Sequence, residues 1–294
     1  MRVSTAYQFD IYTNDIRVAQ EKLAKAGRQV STGKRLEVAS DDPLGTSRIL
    51  TLRSYKAATE QYTQNLNTAK GIVGYTNEAL GTLYEGTKRA YALAVQGANG
   101  TTDQVGRNAM AQEITDIQAR LVQVANTRGP AGQYIFAGQD NDSVPYTVAG
   151  PTLTFNGDNN PVIVETGPAE TMQVNTIGEP MFSDLYNKLE TLKNNLLGGN
   201  TGAISGTSIN DMQSAMQTIN AQRGQVGAKL RRVDDYNTQY ARRVDDLTQG
   251  ISDIEEVDVS QAIMNYQLAQ SAYQASLQVA SEGFKLSLMD FIRG

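Results

Sequence analysis

The sequence predicts a mainly α protein: a long coiled-coil helical bundle or rod, formed by the N- and C-terminal segments, with a small β-rich insertion domain. Three observations predict it. Apolar residues recur at alternating steps of three and four through both arms of the chain, the period of helices that pack along a seam. The middle, from Arg128 to about Pro180, shifts to Gly, Pro, Asn and Asp with short alternating runs, a composition of turns and short strands. The last helix is apolar on more than one face, so it needs more than one neighbour.

Composition excludes several function classes. The chain has 294 residues, enough for two or three domains, and a net charge of −5 with both signs interspersed. Nothing in that pattern grips phosphates, so no nucleic acid is expected as a partner. There is no His, Cys or Trp, which leaves the usual zinc, haem, thiol and Ser–His or Cys–His chemistries without their residues. No catalytic residue, metal ligand or cofactor is therefore expected. The lack of Cys suits an exported protein that avoids wrong disulfides. The opening MRVSTAYQFDIYTND has no apolar core segment, so no secretory signal peptide is expected. No stretch has the apolar length for membrane insertion.

The first helix carries a regular seam of Phe9, Tyr12, Ile16, Ala19, Leu23, Ala26 and Val30 and ends at Gly33. A linker follows, and Asp41 or Asp42 caps the next helix, with Pro43 in its first turn. Its seam runs Leu52, Tyr55, Thr59, Tyr62, Leu66, Ala69, Val73, Thr76, Leu80, Leu83, Thr87, Ala90, Ala94. Unbroken to Gly97, such a helix is ~80 Å long and is stable only with partners along it. The step Asn99-Gly100-Thr101 turns the chain into a helix over about 102–126, seamed by Met110, Ile114, Ile117, Leu121 and Val124 and folded back antiparallel.

Within the insertion, strands are expected at Tyr134–Ala137, Thr152–Phe155, Val162–Glu165 and Thr171–Asn175, with Asn156-Gly157 as a hairpin signal. Asp140, Asp142, Asp158, Glu165 and Glu170 invite comparison with an acid–base pair or a calcium loop, but the spacing of neither is present. They read as solvated loop residues. A short helix with Leu185, Leu189, Leu192 and Leu196 at its core comes next, then a flexible loop over 198–208. The most regular seam follows: Ile209, Met212, Met216, Ile219, Arg223, Val226, Leu230, Val233, Asn237, Tyr240, Val244, Leu247, Ile251, Ile254. Only Arg223 and Asn237 are polar there, and polar seam residues fix register at some cost in stability.

From Val259 to Ser281 no side chain is charged. One apolar line runs Val259, Ile263, Tyr266, Tyr273, Leu277, Ala280, Phe284, Leu288, Phe291; a second, on another face, runs Leu268, Ala275, Val279, Leu286, Met289. Within one chain this helix has essentially one partner, the first helix, so its other faces await further copies. Both ends are expected to order on assembly. The expected domains are 1–43 with 255–294 as a paired terminal core, 44–132 with 181–254 as a helical rod, and 133–180 as the β-rich insertion. Assembly contacts are expected at Phe9, Tyr12, Ile16, Leu23, Val30, Val259, Ile263, Tyr266, Tyr273, Leu277, Phe284, Leu288 and Phe291.

Several segments resemble bacterial flagellins and their hook–filament junction relatives. Ser31-Thr32-Gly33-Lys34-Arg35 followed by Ser40-Asp41-Asp42-Pro43-Leu44-Gly45 is similar to the S-[ST]-G-x-R…DD-x-x-G segment of that family. Leu93-Ala94-Val95-Gln96 with Asn99-Gly100-Thr101 resembles its L-A-V-Q-x-x-N-G-T, and Arg223, Gly227, Ala228 and Arg232 match its R-x3-G-A-x3-R. Ile254-Glu255-Glu256-Val257-Asp258 resembles the segment before its terminal helix. Gly132-Gln133-Tyr134-Ile135-Phe136-Ala137-Gly138 with Pro145-Tyr146, and the ending Leu286-Ser287-Leu288-Met289-Asp290-Phe291-Ile292, look like the junction type more than filament flagellin. The resemblance implies an extracellular structural part of the flagellum, an adaptor between hook side and filament. It implies self-assembly, contacts with hook-associated protein 1 and flagellin, and export by the flagellar type III apparatus with a cytoplasmic chaperone. The alternative is a short-type filament flagellin. An enzyme carried on a coiled coil lacks its residues, and a membrane-anchored adhesin lacks its anchor.

Overall fold

The computed structural model describes residues 2–140 and 142–293, with side chains described from residue 7 to residue 283 apart from Gln8 and Asn141. Among the described residues, seven helices and four strands occur in the order α1 (Arg2–Thr32), α2 (Pro43–Gly97), α3 (Gln104–Ala125), β1 (Tyr146–Ala149), β2 (Thr152–Phe155), β3 (Ile163–Gly167), β4 (Glu170–Gln173), α4 (Met181–Leu197), α5 (Thr201–Ala203), α6 (Ile209–Glu255) and α7 (Val259–Arg293). The protein is mainly α, with a small β region between the N- and C-terminal helical segments. By contact density it forms two compact units, residues 1–57 with 243–294 and residues 58–242.

Helix ends follow local chemistry. Gly33, at φ 70°, closes α1 in the left-handed conformation that a side chain resists. The Asp42 carboxylate accepts the Gly45 N–H at 2.9 Å at the start of α2, and Asp103 accepts the Gly106 N–H at 2.8 Å at the start of α3. Residues 201–208, expected as a loop, are instead helical: α5 and a π-helical turn, Ile204–Ser208, lead directly into α6. Ile204 and Ser208 are buried there, and burial of such a segment requires its backbone groups to be paired internally.

The 58–242 unit is built on one apolar core. It unites Leu66, Leu80 and Leu93 of α2, Ile114 and Leu121 of α3, Leu185, Leu189 and Leu192 of α4, and Ile219, Val226 and Val233 of α6. α2 and α3 run antiparallel, and the Arg89 guanidinium holds the Glu113 carboxylate at 2.5 and 2.9 Å. Every α2 seam position from Thr59 to Ala94 is shielded from solvent, whereas Tyr55 is exposed. All fourteen seam positions of α6 are shielded as well. Arg223 lies over the Tyr84 ring, 5.6 Å from its centre, and the Asn237 amide donates to Asn67 Oδ1 at 3.3 Å.

The β region is two antiparallel hairpins, β1–β2 and β3–β4. Two sequence expectations fail here. Tyr134–Ala137 forms no strand: it is a buried turn, bounded by Gly132 at φ 85° and Gly138 at φ 84°. Asp158 secures it, its carboxylate accepting the Gln139 N–H at 2.6 Å and its own N–H reaching Ala137 O at 2.9 Å. Nor does Asn156-Gly157 turn a hairpin. The first hairpin turns at Gly150-Pro151, since β2 pairs backwards with Tyr146–Ala149 rather than forwards. An aromatic cluster joins these pieces: Phe182 meets Phe136 edge-on at 4.8 Å and Tyr146 at 5.3 Å, and Tyr146 meets Phe155 at 5.0 Å. Asn126, at the end of α3, both donates to Tyr146 O at 2.8 Å and accepts the Tyr146 N–H at 3.0 Å.

Candidate assembly surface

The unit formed by the two chain ends carries the surface of interest. α1 packs along α7. The pairing is antiparallel: a Cβ on Gly27 would lie 3.4 Å from the Tyr266 ring, and one on Gly283 would lie 2.7 Å from the Tyr12 ring. A side chain at position 283 would therefore force the Tyr12 ring to move. The α7 residues shielded by this pairing are Ala262, Tyr266, Ala269, Tyr273, Ser276, Ala280 and Gly283, a seam of small residues interrupted by two tyrosines. Of the α1 seam residues, Tyr12, Ile16, Ala19, Leu23 and Ala26 are shielded, while Phe9 and Val30 are exposed.

The large aliphatic residues of α7 lie elsewhere. Val259, Ile263 and Leu277 form one exposed stripe beside the seam; Met264, Leu268 and Val279 form another, Leu268 being 64% exposed. No charge interrupts either over residues 259–281. The expected contact residues thus divide: Tyr12, Ile16, Leu23, Tyr266 and Tyr273 are used inside the chain, whereas Phe9, Val30, Val259, Ile263 and Leu277 are exposed. Phe284, Leu288 and Phe291 fall outside the described side chains.

A clasp holds the base of the pair. Arg35 N–H donates to Glu255 O at 2.7 Å, and Val257 N–H donates to Gly33 O at 3.0 Å. The Glu255 carboxylate takes Lys34 Nζ at 2.7 Å and Arg53 Nη2 at 2.6 Å, and Arg35 Nη2 donates to Ile254 O at 2.9 Å. Glu255 is buried while Lys34 and Arg53 reach out to solvent. Beside the clasp an open groove is lined by Leu36, Val38, Ile49 and Leu50. The two segments of the clasp stand in the sequence as separate motifs, one in each arm of the chain. The signal available was the set of complementary charges in two short motifs at opposite ends of the chain.

The hydrogen bond from Lys34, then that from Arg53, holds the Glu255 carboxyl below its ordinary range against the opposing effect of burial. A carboxyl lowered in the folded state adds stability above its unfolded pKa of about 4.3, and that contribution is lost as pH falls through the lower folded value. Glu255→Gln is expected to be less stable than the wild type at neutral pH, with the gap closing as pH drops below about 4. Urea midpoints of both proteins across that range check it; a constant gap would remove the charge from the account.

Among the described residues no three acidic side chains converge as a metal site, and no helix is long and apolar enough to cross a membrane. Asp158 serves the turn at Gln139, and Glu170 accepts the Tyr236 hydroxyl at 2.8 Å. Paired terminal helices with uncovered apolar stripes define the class: a helical subunit of a protein assembly. Two family models make it particular. The bacterial flagellin N-terminal helical region matches residues 3–141, and the C-terminal helical region matches residues 209–292. The chain belongs to the bacterial flagellin family.

Relatives sharpen the comparison. Flagellar hook-associated protein 3 of Escherichia coli (strain K12) is 26% identical over 312 residues, covering 98% of this chain and 98% of that protein. A flagellin of Salmonella muenchen is 26% identical over 203 residues, covering 69% of this chain and 39% of its own length. The solved flagellar junction protein of Legionella pneumophila shares the fold with a TM-score of 0.63 at 12% identity, covering 71% of this chain and 99% of that one.

Proposed function

We infer that this chain is a structural subunit of the bacterial flagellum, acting at the hook–filament junction as an adaptor between the hook side and the flagellin filament. The observation that carries the reading is end-to-end similarity to a hook-associated protein 3, against partial coverage of filament flagellins. The exposed stripes of α7 support it: charge-free apolar faces of this length on a water-facing helix mark an interaction surface. The subunit works by packing, with no catalytic step. Its partners are further copies of itself, hook-associated protein 1 and flagellin, and it stands outside the cell after type III export with a chaperone. Gold-labelled antibody on isolated flagella tests the assignment. Label confined to the hook–filament boundary is the expected result; label along the whole filament would assign a short-type flagellin instead.

A further inference from the structure

The chain contains two Asn-Gly steps, Asn99-Gly100 and Asn156-Gly157, and the structure treats them oppositely. Asn99 stands exposed in the turn between α2 and α3. Its Oδ1 accepts two hydrogen bonds from Thr101, one from the backbone N–H at 3.2 Å and one from the hydroxyl at 3.1 Å, an Asx turn closed over Gly100. A Cβ at Gly100 would meet nothing within 4 Å, so the space around this peptide is open. At the second step the Asn156 side-chain NH2 is engaged with Thr147 Oγ1 at 2.9 Å. A Cβ on Gly157 would lie 2.5 Å from Ala137 O and 2.9 Å from the Phe155 ring, so that backbone has no room to swing.

We propose that Asn99 is a self-modifying site, which deamidates through a cyclic imide in the folded protein while Asn156 is held intact. The deprotonated Gly100 backbone nitrogen attacks Asn99 Cγ, and a new C–N bond closes a five-membered ring. Negative charge collects on Oδ1 in the tetrahedral intermediate, where the two Thr101 donors receive it as an oxyanion hole does. The bond from Cγ to Nδ2 then breaks and ammonia leaves. Water opens the ring at either carbonyl and leaves an aspartyl or an isoaspartyl residue at position 99. No oxidant or cofactor is needed. The product gains a negative charge just ahead of α3, and its isoaspartyl form adds a methylene to the main chain of the turn. Asn156 has the same neighbour in sequence, but its leaving group is bound and its following peptide is wedged between Ala137 and Phe155.

The experiment is ageing of the full-length protein in mildly alkaline buffer, with peptide mapping by mass spectrometry and isoaspartyl methyl acceptance at intervals. Position 99 is expected to convert about ten-fold faster than position 156, since exposed donors give less than the roughly 100-fold of a buried one. The ratio should collapse towards one in the urea-unfolded chain, where both steps are equally free. Thr101→Val, which keeps the backbone donor and removes the hydroxyl, should slow position 99 several-fold without changing position 156. Equal rates at the two sites in the folded protein, a ratio that survives unfolding, or no change with Thr101→Val in a normally folded variant would each overturn the proposal.

Discussion

Phe182→Ala is expected to destabilise the 58–242 unit by about 3–5 kcal/mol, the range for emptying a buried phenylalanine site. Phe182 is fully buried in the first turn of α4, with Phe136 of the buried turn and Tyr146 of β1 against its ring. Neither ring can follow it into the cavity. The Phe136 turn is fixed through Asp158, and Tyr146 through both backbone bonds to Asn126. The loss should therefore spread to both hairpins. Denaturant melts by circular dichroism give the size, and amide exchange over residues 133–175 gives the place. A change below about 1 kcal/mol would mean the cluster does not couple the β region to the helices.

The second large effect concerns assembly. Ile263→Asp combined with Leu268→Asp places a charge on each exposed stripe of α7 and touches none of the seam facing α1. Surface substitutions of this kind change stability by only about 0.5 kcal/mol, so the melting curve should be close to the wild type. Incorporation into flagella should nevertheless be lost, because burying an unpaired carboxylate between subunits is prohibitive. Tyr273→Asp is the contrasting variant, since it strikes the internal seam and should disturb the α1–α7 pair itself. Wild-type incorporation of the double variant would show that the stripes are not contact surfaces.

The helices were legible because their signal is long. Fourteen α6 seam positions at steps of three and four, all shielded in the structure, leave little room for another phase, and the two polar members, Arg223 and Asn237, do not break the pattern. The β region was not, because its signals are four residues long. Tyr-Ile-Phe-Ala alternates poorly and sits between two glycines with positive φ, so burial there comes from a turn. β1 carries no strand signal of its own because Pro145 and Gly150 bracket it, and β2 has an equally plausible partner downstream. The assembly surface was legible in part. Hydrophobicity marked α7 as needing several neighbours, but it ranked Ile263 and Leu277 with Tyr266 and Tyr273. Inside one chain the close approach of α1 selects alanine, serine and glycine, and the bulkier aliphatics are left outside. Glu255 was invisible as a clasp because it meets Arg53 202 residues away, a separation at which periodicity says nothing.

Because Gly33 is bonded to Val257 and Arg35 to Glu255, α1 and α7 share a common origin from which their residues are counted off. Two helices pinned at one end behave like a pair of graduated scales, so the pairing constrains the termini in phase more than in length. Adding or removing seven residues in one helix returns equivalent side chains to the seam. A single added residue turns everything beyond it by about 100°, carrying the aliphatic stripes into the pair and the small residues out to the neighbours.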